Sequence, residues 1–179
     1  MTEQLIIAGF GGQGVLLIGQ LLAYSGMLME KEVSWLPSYG PEMRGGSANC
    51  HVVISDEAVG SPKVEEATVV IAMNYPSMKL FERSLVPGGL LLYNSSLIDE
   101  KPSRSDIRAI AVPCNDIAKE VGNARTANMA MLGAFIGATG MFTEDVLVEA
   151  LRHKLGASKE KFIPVNRAAI AAGMAAAKA

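Results

Sequence analysis

The sequence predicts an α/β fold, a Rossmann-like three-layer domain with a mainly parallel sheet and a helical C-terminal portion. Short apolar runs alternate with segments of helical spacing along the first two-thirds of the chain, and helical patterns fill the remainder. A cluster of glycines separates the first apolar run from the first helix. Alternating strands and helices are typical of domains built around a parallel sheet. We expect one domain over residues 1–179, because single domains of this size are common.

The predicted strands are short apolar runs that end at turn-forming residues. They cover residues 4–8, 31–36, 48–55, 68–73, 90–93 and 107–112. Helical spacing between them predicts helices over residues 15–29 and 76–85. Pro87-Gly88-Gly89 is expected to separate the second of these helices from the next strand, because proline and glycine interrupt regular structure.

Four further helices are predicted near the C-terminus, over residues 115–121, 127–141, 144–155 and 161–178. The third has the clearest start. Thr143 supplies a hydroxyl cap, and Glu144 and Asp145 place negative charge in the first turn, where the free N–H groups of a helix favour it.

Composition excludes several classes of protein. Half of the residues are hydrophobic and 19% are charged, which is incompatible with intrinsic disorder. The net charge of −2 gives no sign of nucleic-acid binding. Cys50 and Cys114 lie far apart, so we expect no metal site or iron–sulfur cluster on this chain alone. The uncharged stretches 5–29 and 126–143 contain glycines and amides and are too short as helices to span a membrane. A cytoplasmic protein is expected.

The strongest motif is Gly9-Phe10-Gly11-Gly12-Gln13-Gly14, which matches G-x-G-x-x-G between a predicted strand and a predicted helix. In this motif Gly9 allows the turn, Gly11 allows close approach of a ligand, and Gly14 lets the helix pack on the strand. The free N–H groups at the helix start favour an anion. All six residues are therefore predicted to bind a cofactor. The alternative is a tight turn that binds nothing.

A dinucleotide site also requires an acidic residue at the end of the second strand, where it binds the ribose hydroxyls. Glu30 and Glu32 precede that strand or open it, and its end carries Trp35, Leu36 and Pro37. No Lys-Ser or Lys-Thr follows the glycines, so a Walker motif is absent as well. The loop is therefore interpreted as a phosphate cradle, and binding of NAD is not expected.

No catalytic constellation is visible. His51 and His153 have no neighbouring Ser or Cys that would form a nucleophilic pair. Cys50 precedes His51 in a predicted strand, and neighbouring side chains of a strand point to opposite faces. The sequence thus predicts a binding or assembly domain, with no catalytic residue of its own.

The glycine motif, followed by Trp35-Leu-Pro-Ser-Tyr-Gly-Pro-Glu-Met-Arg-Gly-Gly46, resembles the gamma subunit of 2-oxoacid:ferredoxin oxidoreductases. Ser61-Pro62 and Asn94-Ser95-Ser96 extend the similarity over nearly the whole chain. The resemblance implies an enzyme that converts a 2-oxoacid, coenzyme A and oxidised ferredoxin into acyl-CoA, carbon dioxide and reduced ferredoxin. Thiamine diphosphate is then expected in the alpha and beta subunits. Iron–sulfur clusters are expected in other subunits, which include a ferredoxin-like delta subunit in some complexes.

The resemblance implies that this chain binds no cofactor alone, helps to bind coenzyme A as co-substrate, and assembles the complex. The isolated chain is expected to be inactive. The form of the second motif favours enzymes for 2-oxoglutarate or branched-chain 2-oxoacids, with 2-oxoglutarate as the first choice. The alternative is a free-standing nucleotide-binding or regulatory module on the same fold, since a fold does not fix a function.

The segment from Pro37 to Gly46 is rich in residues that restrict or turn the backbone. Within it, Arg44 offers a planar fork of donors suited to carboxylates, phosphates or backbone carbonyls. One interpretation is that Arg44 pairs with Glu42 and only stiffens the segment. The other is that Tyr39, Glu42 and Arg44 form an interface with a catalytic subunit.

Overall fold

The computed structural model describes residues 1–38 and 46–178 and contains one six-stranded sheet. Its strands lie in the order β2-β3-β1-β4-β5-β6. β1, β4, β5 and β6 run parallel, and β3 runs antiparallel to both of its neighbours. The prediction of a mainly parallel sheet is confirmed. The bounds are Thr2–Phe10 for β1, Glu32–Ser38 for β2, Ser47–Ser55 for β3, Ala67–Ala72 for β4, Leu85–Asn94 for β5 and Arg108–Val112 for β6.

The helices agree closely with the sequence pattern. The bounds are Val15–Leu28 for α1, Tyr75–Phe81 for α2, Cys114–Glu120 for α3, Ala127–Thr139 for α4, Glu144–Leu155 for α5 and Ile163–Ala176 for α6. The Thr143 hydroxyl accepts the Val146 N–H at 3.3 Å, so the predicted cap of α5 is confirmed. Short 3-10 turns precede α4 and α6, over Ala124–Thr126 and Ala157–Phe162.

The sheet separates two hydrophobic cores of unequal size. Leu5 and Ile7 of β1 face the larger core, which includes residues of α1 and of α3 to α6. Ile6, between them, faces a smaller core that contains Met78 of α2. This alternation of neighbouring side chains is the normal consequence of strand geometry. The predicted three-layer arrangement is therefore confirmed, with most of the helical mass on one face.

Two predicted boundaries were wrong. α2 ends at Phe81, and a 3-10 turn over Glu82–Ser84 completes the segment predicted as one helix. Pro87-Gly88-Gly89 does not precede a strand but lies inside β5, where Ala67 pairs with Leu85 while Val69 pairs with Leu90. The extra residues are accommodated as a bulge, which tolerates proline and glycine where a regular ladder would not.

Proline also lies within β2, which continues through Pro37 to Ser38 although the sequence predicts its end at Leu36. β2 is an edge strand of the sheet. Because one side of an edge strand needs no partner, the missing N–H of proline costs little there.

Helices α4 and α6 pack against each other at glycines. A Cβ atom added at Gly133 of α4 would lie 1.9 Å from the backbone oxygen of Ile170 on α6. A Cβ atom added at Gly173 of α6 would lie equally close, at 1.9 Å, to the backbone oxygen of Ala130 on α4. The backbones of the two helices are thus in direct contact. Any side chain at Gly133 or Gly173 would prevent this close approach.

Candidate ligand-binding site

The glycine motif lies at the carboxyl edge of the parallel strands. β1 ends at Phe10 and α1 begins at Val15, so residues 11–14 form the connecting loop. Gly12 and Gly14 have left-handed backbone conformations, with φ of 94° and 75°. Residues other than glycine adopt this region at a cost. In α/β sheets, ligands bind outside the carboxyl ends of the strands, and the loop occupies such a position.

The first and third glycines of the motif have packing roles. A Cβ atom at Gly9, which lies within β1, would approach Gln13 Oε1 to 2.6 Å and Met73 Cβ to 2.9 Å. A Cβ atom at Gly14 would lie 2.3 Å from Asn128 Nδ2. The missing side chain of Gly14 therefore leaves room for Asn128 of α4. The motif predicts instead that this glycine lets α1 pack on a strand.

Gln13 holds the loop together by hydrogen bonds of its side chain. Its Oε1 accepts the Phe10 N–H at 2.7 Å, and its Nε2 donates to the Met73 carbonyl oxygen at 3.1 Å. The side-chain amide thus connects the two ends of the loop to the end of β4. The Phe10 side chain, unlike that of Gln13, is not held within the loop and is 41% exposed.

The N-terminus of α1 has no capping side chain. Gly14 occupies the cap position without a side-chain hydrogen bond, and the first turn contains no acidic residue. Helix N-termini carry partial positive charge and free N–H groups. The start of α1 is therefore electrostatically suited to an anion.

A small polar cavity of about 120 Å³ borders the glycine loop just before this helix start. It is lined in part by Gly12, Gln13, Asn115, Arg125 and Asn128. The Asn128 residue is only 7% exposed and lines the cavity. Its side-chain amide offers both donors and an acceptor. The exposed Arg125 adds a positive charge and several donors, so the cavity is suited to a phosphate group.

Sequence reasoning missed Asn115, Arg125 and Asn128 as members of this site. They lie about a hundred residues after the glycine motif, and no motif connects the two segments. One signal was present: Asn128 is an isolated amide in the uncharged stretch 126–143. A buried amide in such a stretch indicates either a structural hydrogen bond or a ligand.

The other side of the loop is apolar. A cavity of about 230 Å³ is lined by Phe10, Val15, Leu16, Ala48 and the loop glycines. Gly12 borders both this cavity and the polar one. The loop can therefore contact an elongated ligand that has an anionic part and a less polar part.

The order of the strands explains why no ribose-binding acid lies at the end of β2. β3 lies between β1 and β2, with Ala48 opposite Gly9. The end of β2 is consequently separated from the glycine loop by a whole strand. A position next to β1, where an acidic residue would bind ribose hydroxyls in a dinucleotide fold, is occupied by an alanine.

Cys50 and His51 face opposite sides of the sheet. Cys50 Sγ donates to the Val15 carbonyl oxygen at 3.6 Å, and burial raises the pKa of its thiol to about 12. His51 Nδ1 accepts the Val64 N–H at 2.9 Å, and burial together with the charge of Lys63 lowers the pKa of His51. Burial also raises the pKa of Cys114. Both thiols remain protonated and buried. Cys50 and His51 therefore form no nucleophilic pair.

Two features are absent from residues 1–38 and 46–178. These residues contain no group of three or more His, Cys, Asp or Glu placed to hold a metal ion. No helix in them is long and apolar enough to cross a membrane. Tyr39, Glu42 and Arg44, the predicted interface residues, lie outside the described residues, and their role remains a prediction.

The sequence of the chain is similar to a known family. The family model described as pyruvate ferredoxin/flavodoxin oxidoreductase matches residues 4–176. The ketoisovalerate oxidoreductase subunit VorA of Methanothermobacter marburgensis is 44% identical over 93% of this chain, which covers 35% of VorA. The 2-oxoglutarate synthase subunit KorC of the same organism is 33% identical, over 90% of each chain. The chain therefore spans about a third of the VorA relative and most of the KorC relative.

Solved structures have the same fold. The gamma subunit of a keto/oxoacid ferredoxin oxidoreductase from Geobacter sulfurreducens superimposes with a TM-score of 0.83, at 28% identity and 98% coverage of both chains. A 2-oxoglutarate:ferredoxin oxidoreductase from Magnetococcus marinus, solved with 2-oxoglutarate, coenzyme A and succinyl-CoA bound, gives a TM-score of 0.89 at 27% identity. The superposition covers 99% of this chain and 31% of the Magnetococcus marinus chain.

Proposed function

The chain belongs to the pyruvate ferredoxin/flavodoxin oxidoreductase family, and from this premise we propose that it is the gamma subunit of a CoA-acylating 2-oxoacid:ferredoxin oxidoreductase. Its task is to bind part of coenzyme A and to hold the complex together. Thiamine diphosphate and iron–sulfur clusters belong to the partner subunits in this proposal, and ferredoxin accepts the electrons. Decarboxylation requires an electron sink of the thiamine type, which this proposal assigns to the partner subunits.

The observation that carries the proposal is the uncapped start of α1 beside the cavity formed by Gly12, Arg125 and Asn128. The Asn128 amide and the Arg125 guanidinium line the same small space, and the uncapped start of α1 lines the adjoining cavity. Such an arrangement is suited to a pyrophosphate. The adjoining apolar cavity at Phe10 is suited to the less polar pantetheine arm.

The choice of 2-oxoacid is the finer part of the proposal. The sequence favours 2-oxoglutarate, and the relatives include both a ketoisovalerate and a 2-oxoglutarate enzyme subunit. These substrates demand opposite pockets, since 2-oxoglutarate has a second carboxylate and ketoisovalerate has a branched apolar chain. Comparing turnover of the two by the complete complex separates these possibilities. A free-standing nucleotide-binding module is not favoured, because the relatives are named as subunits of oxidoreductases.

The decisive experiment changes Gly12 to valine in the complex reconstituted with its partner subunits. A side chain at Gly12 enters open space, because no atom lies within 4 Å of the added Cβ. We expect the KM for coenzyme A to rise about tenfold, roughly 1.4 kcal/mol, because the branched side chain would occupy space that the ligand needs. The KM for the 2-oxoacid should stay at its wild-type value.

Gly88→Val is the matched control. Gly88 also has a positive φ, of 78°, and open space around its Cβ position, but it lies in the bulge of β5. Both variants carry similar backbone strain, so a specific role of the loop predicts that only Gly12→Val changes the KM for coenzyme A. Equal KM values in the two variants would reduce the glycine loop to a tight turn.

A further inference from the structure

Asn94 is the last residue of β5, so it lies at the same carboxyl edge of the sheet as the glycine loop. It is 0% exposed. Asn94-Ser95-Ser96 is one of the segments that carry the family resemblance, yet the proposed function gives this segment no task. The hydrogen bonds of its side chains indicate one.

The orientation of the Asn94 amide is fixed by its partners. Its Oδ1 accepts the Cys114 N–H at 3.2 Å and the Ser96 N–H at 3.3 Å. Its Nδ2 donates to Asn115 Oδ1 at 2.8 Å and to the Met73 carbonyl oxygen at 3.5 Å. A backbone N–H can only donate and a carbonyl oxygen can only accept, so the amide cannot be reversed. Asn94 therefore always presents a donor to Asn115.

That donor determines which end of the Asn115 amide is left for a ligand. Asn115 is exposed and lines the polar cavity beside the glycine loop. Because its Oδ1 is turned towards Asn94, its Nδ2 is the end that remains for the cavity. An amide nitrogen donates to an anion, whereas an amide oxygen only accepts and opposes one.

Ser96 holds the backbone of the same residue. Its Oγ accepts the N–H groups of Asn115 at 3.1 Å and of Asp116 at 3.2 Å. The hydroxyl also donates to Asp116 Oδ2 at 2.8 Å. The first and third residues of Asn94-Ser95-Ser96 thus fix the side chain and the backbone of Asn115, and the third also binds the neighbouring carboxylate.

The same network reaches the glycine loop. The Met73 carbonyl oxygen accepts from Gln13 Nε2 at 3.1 Å as well as from Asn94 Nδ2. Gln13 and Asn115 both line the polar cavity. One carbonyl oxygen therefore joins the amide that holds the loop to the amide that orients Asn115. Hydrogen-bond networks whose members all have partners make such a site rigid.

We propose that Asn94 is a positioning residue, which orients the Asn115 amide so that its Nδ2 donates to a phosphate group of coenzyme A in the polar cavity. Asn94 is too deeply buried to touch the ligand and acts only through Asn115. This inference rests on the proposed function, since it assumes that the polar cavity receives the pyrophosphate.

The test changes Asn94 to aspartate in the complex reconstituted with its partner subunits. The carboxylate keeps the bonds from the Cys114 and Ser96 N–H groups, which also favour its ionised form. It offers Asn115 an acceptor in place of a donor, so the Asn115 amide turns its oxygen to the cavity. We expect the KM for coenzyme A to rise about tenfold, the effect of one lost hydrogen bond to a charged group. The kcat and the KM for the 2-oxoacid should stay at their wild-type values.

Glu82→Gln is the matched control. It exchanges the same two kinds of atom at another buried side chain, which accepts the Arg104 N–H at 2.7 Å. Glu82 is not among the residues that line the polar cavity, so this variant should change no kinetic constant.

Variants of Asn115 test the contact without burying a charge. Asn115→Ala removes the donor and should raise the KM for coenzyme A about tenfold. Asn115→Asp keeps an oxygen for Asn94 but turns a second, charged oxygen to the cavity, so its KM should be several-fold higher still. Equal KM values in these two variants would overturn the inference, even where Asn94→Asp fails to assemble. In the double variant Asn94→Asp/Asn115→Ala, the KM should equal that of Asn115→Ala alone, because Asn94 acts through Asn115.

The possible results separate this inference from the proposed function. If Gly12→Val raises the KM for coenzyme A while both Asn115 variants leave it unchanged, the loop contacts the co-substrate and the role of Asn115 is overturned. If Asn94→Asp raises the KM by the same factor with and without the Asn115 amide, Asn94 is only a structural residue. If Gly12→Val has no effect while the Asn94 and Asn115 variants behave as expected, the role of the loop fails and the positioning role stands.

Discussion

Glycine has opposite roles in the α4–α6 helix pair and in the loop between β1 and α1. At Gly133 and Gly173 an added Cβ would lie 1.9 Å from the backbone of the facing helix. At Gly12 an added Cβ would have no atom within 4 Å. In the helix pair the space left by the missing side chain is filled by the protein itself. In the loop that space is open.

This difference separates glycines that stabilise the fold from glycines that leave room for another molecule. Close-packed interiors resist any added atom, so substitution in the helix pair should act on stability. Substitution at Gly12 should act mainly on ligand binding, apart from the strain of its positive φ. Gly14 lies between these extremes, because it has a positive φ of 75° and also faces Asn128.

The largest effect is expected from Gly133→Ala. The methyl group would force α4 and α6 apart, and we expect a loss of more than about 3 kcal/mol of unfolding free energy, typical of severe overpacking. Thermal denaturation should show a Tm lower by roughly 10 °C. Gly60→Ala is the control, since its Cβ would meet no atom. A Tm that falls equally in both variants would contradict close contact between the helices.

An intermediate effect is expected from Gly14→Ala. The positive φ costs about 1 kcal/mol, and the contact with the Asn128 amide adds about 1–2 kcal/mol. A double-mutant cycle measured by chemical denaturation separates these contributions. In an Asn128→Ala background the cost of Gly14→Ala should fall to about 1 kcal/mol, because the strain remains and only the milder contact with Cβ of residue 128, at 3.3 Å, is left. Strict additivity would show that the two residues do not meet.

A small effect on stability is expected from Gly12→Ala. Only the strain of its φ of 94° opposes the methyl group, so the loss should be about 1 kcal/mol. Gly88→Ala, with a φ of 78° and open space, should lose a similar amount in the same denaturation experiment. A much larger loss at Gly12 would mean that the loop is packed as tightly as the helix pair.

The smallest change should come from mild acid, which leaves both glycine regions intact. Burial lowers the pKa of His51, so the folded protein prefers the neutral ring. Its contribution to stability is present above the ordinary pKa of about 6.5 and is lost as the pH falls through the lowered folded value. The protection factor of the Val64 amide, which donates to His51, should fall in that range when exchange rates are corrected for the intrinsic effect of pH.

Two comparisons test the origin of this acid effect. Amides of α4 and α6 should keep their protection over the same pH range, because His51 packs on the other face of the sheet. Replacing the second histidine, His153→Gln, should leave the exchange of Val64 unchanged. A loss of Val64 protection on acidification that persists in His51→Gln would exclude the histidine as its cause.

Much of the fold was predictable from local patterns. The pattern predicted the bounds of α5 and its Thr143 cap, and the first helix was predicted to within one residue. It predicted the position of the glycine motif between a strand and a helix. The bulge at Pro87-Gly88-Gly89 was missed, because proline and glycine indicate a break but not whether the chain rejoins the same sheet.

The sequence by itself determined the class of fold, the glycine motif and the absence of a ribose-binding acid from the expected position. Only the tertiary structure decided that β3 lies between β1 and β2, that Asn128 faces Gly14, and that Arg125 lines the cavity beside the glycine loop. The physical reason is the range of the interactions. Helix caps and side-chain periodicity depend on residues a few positions apart, whereas contacts between residues a hundred positions apart depend on how the layers pack.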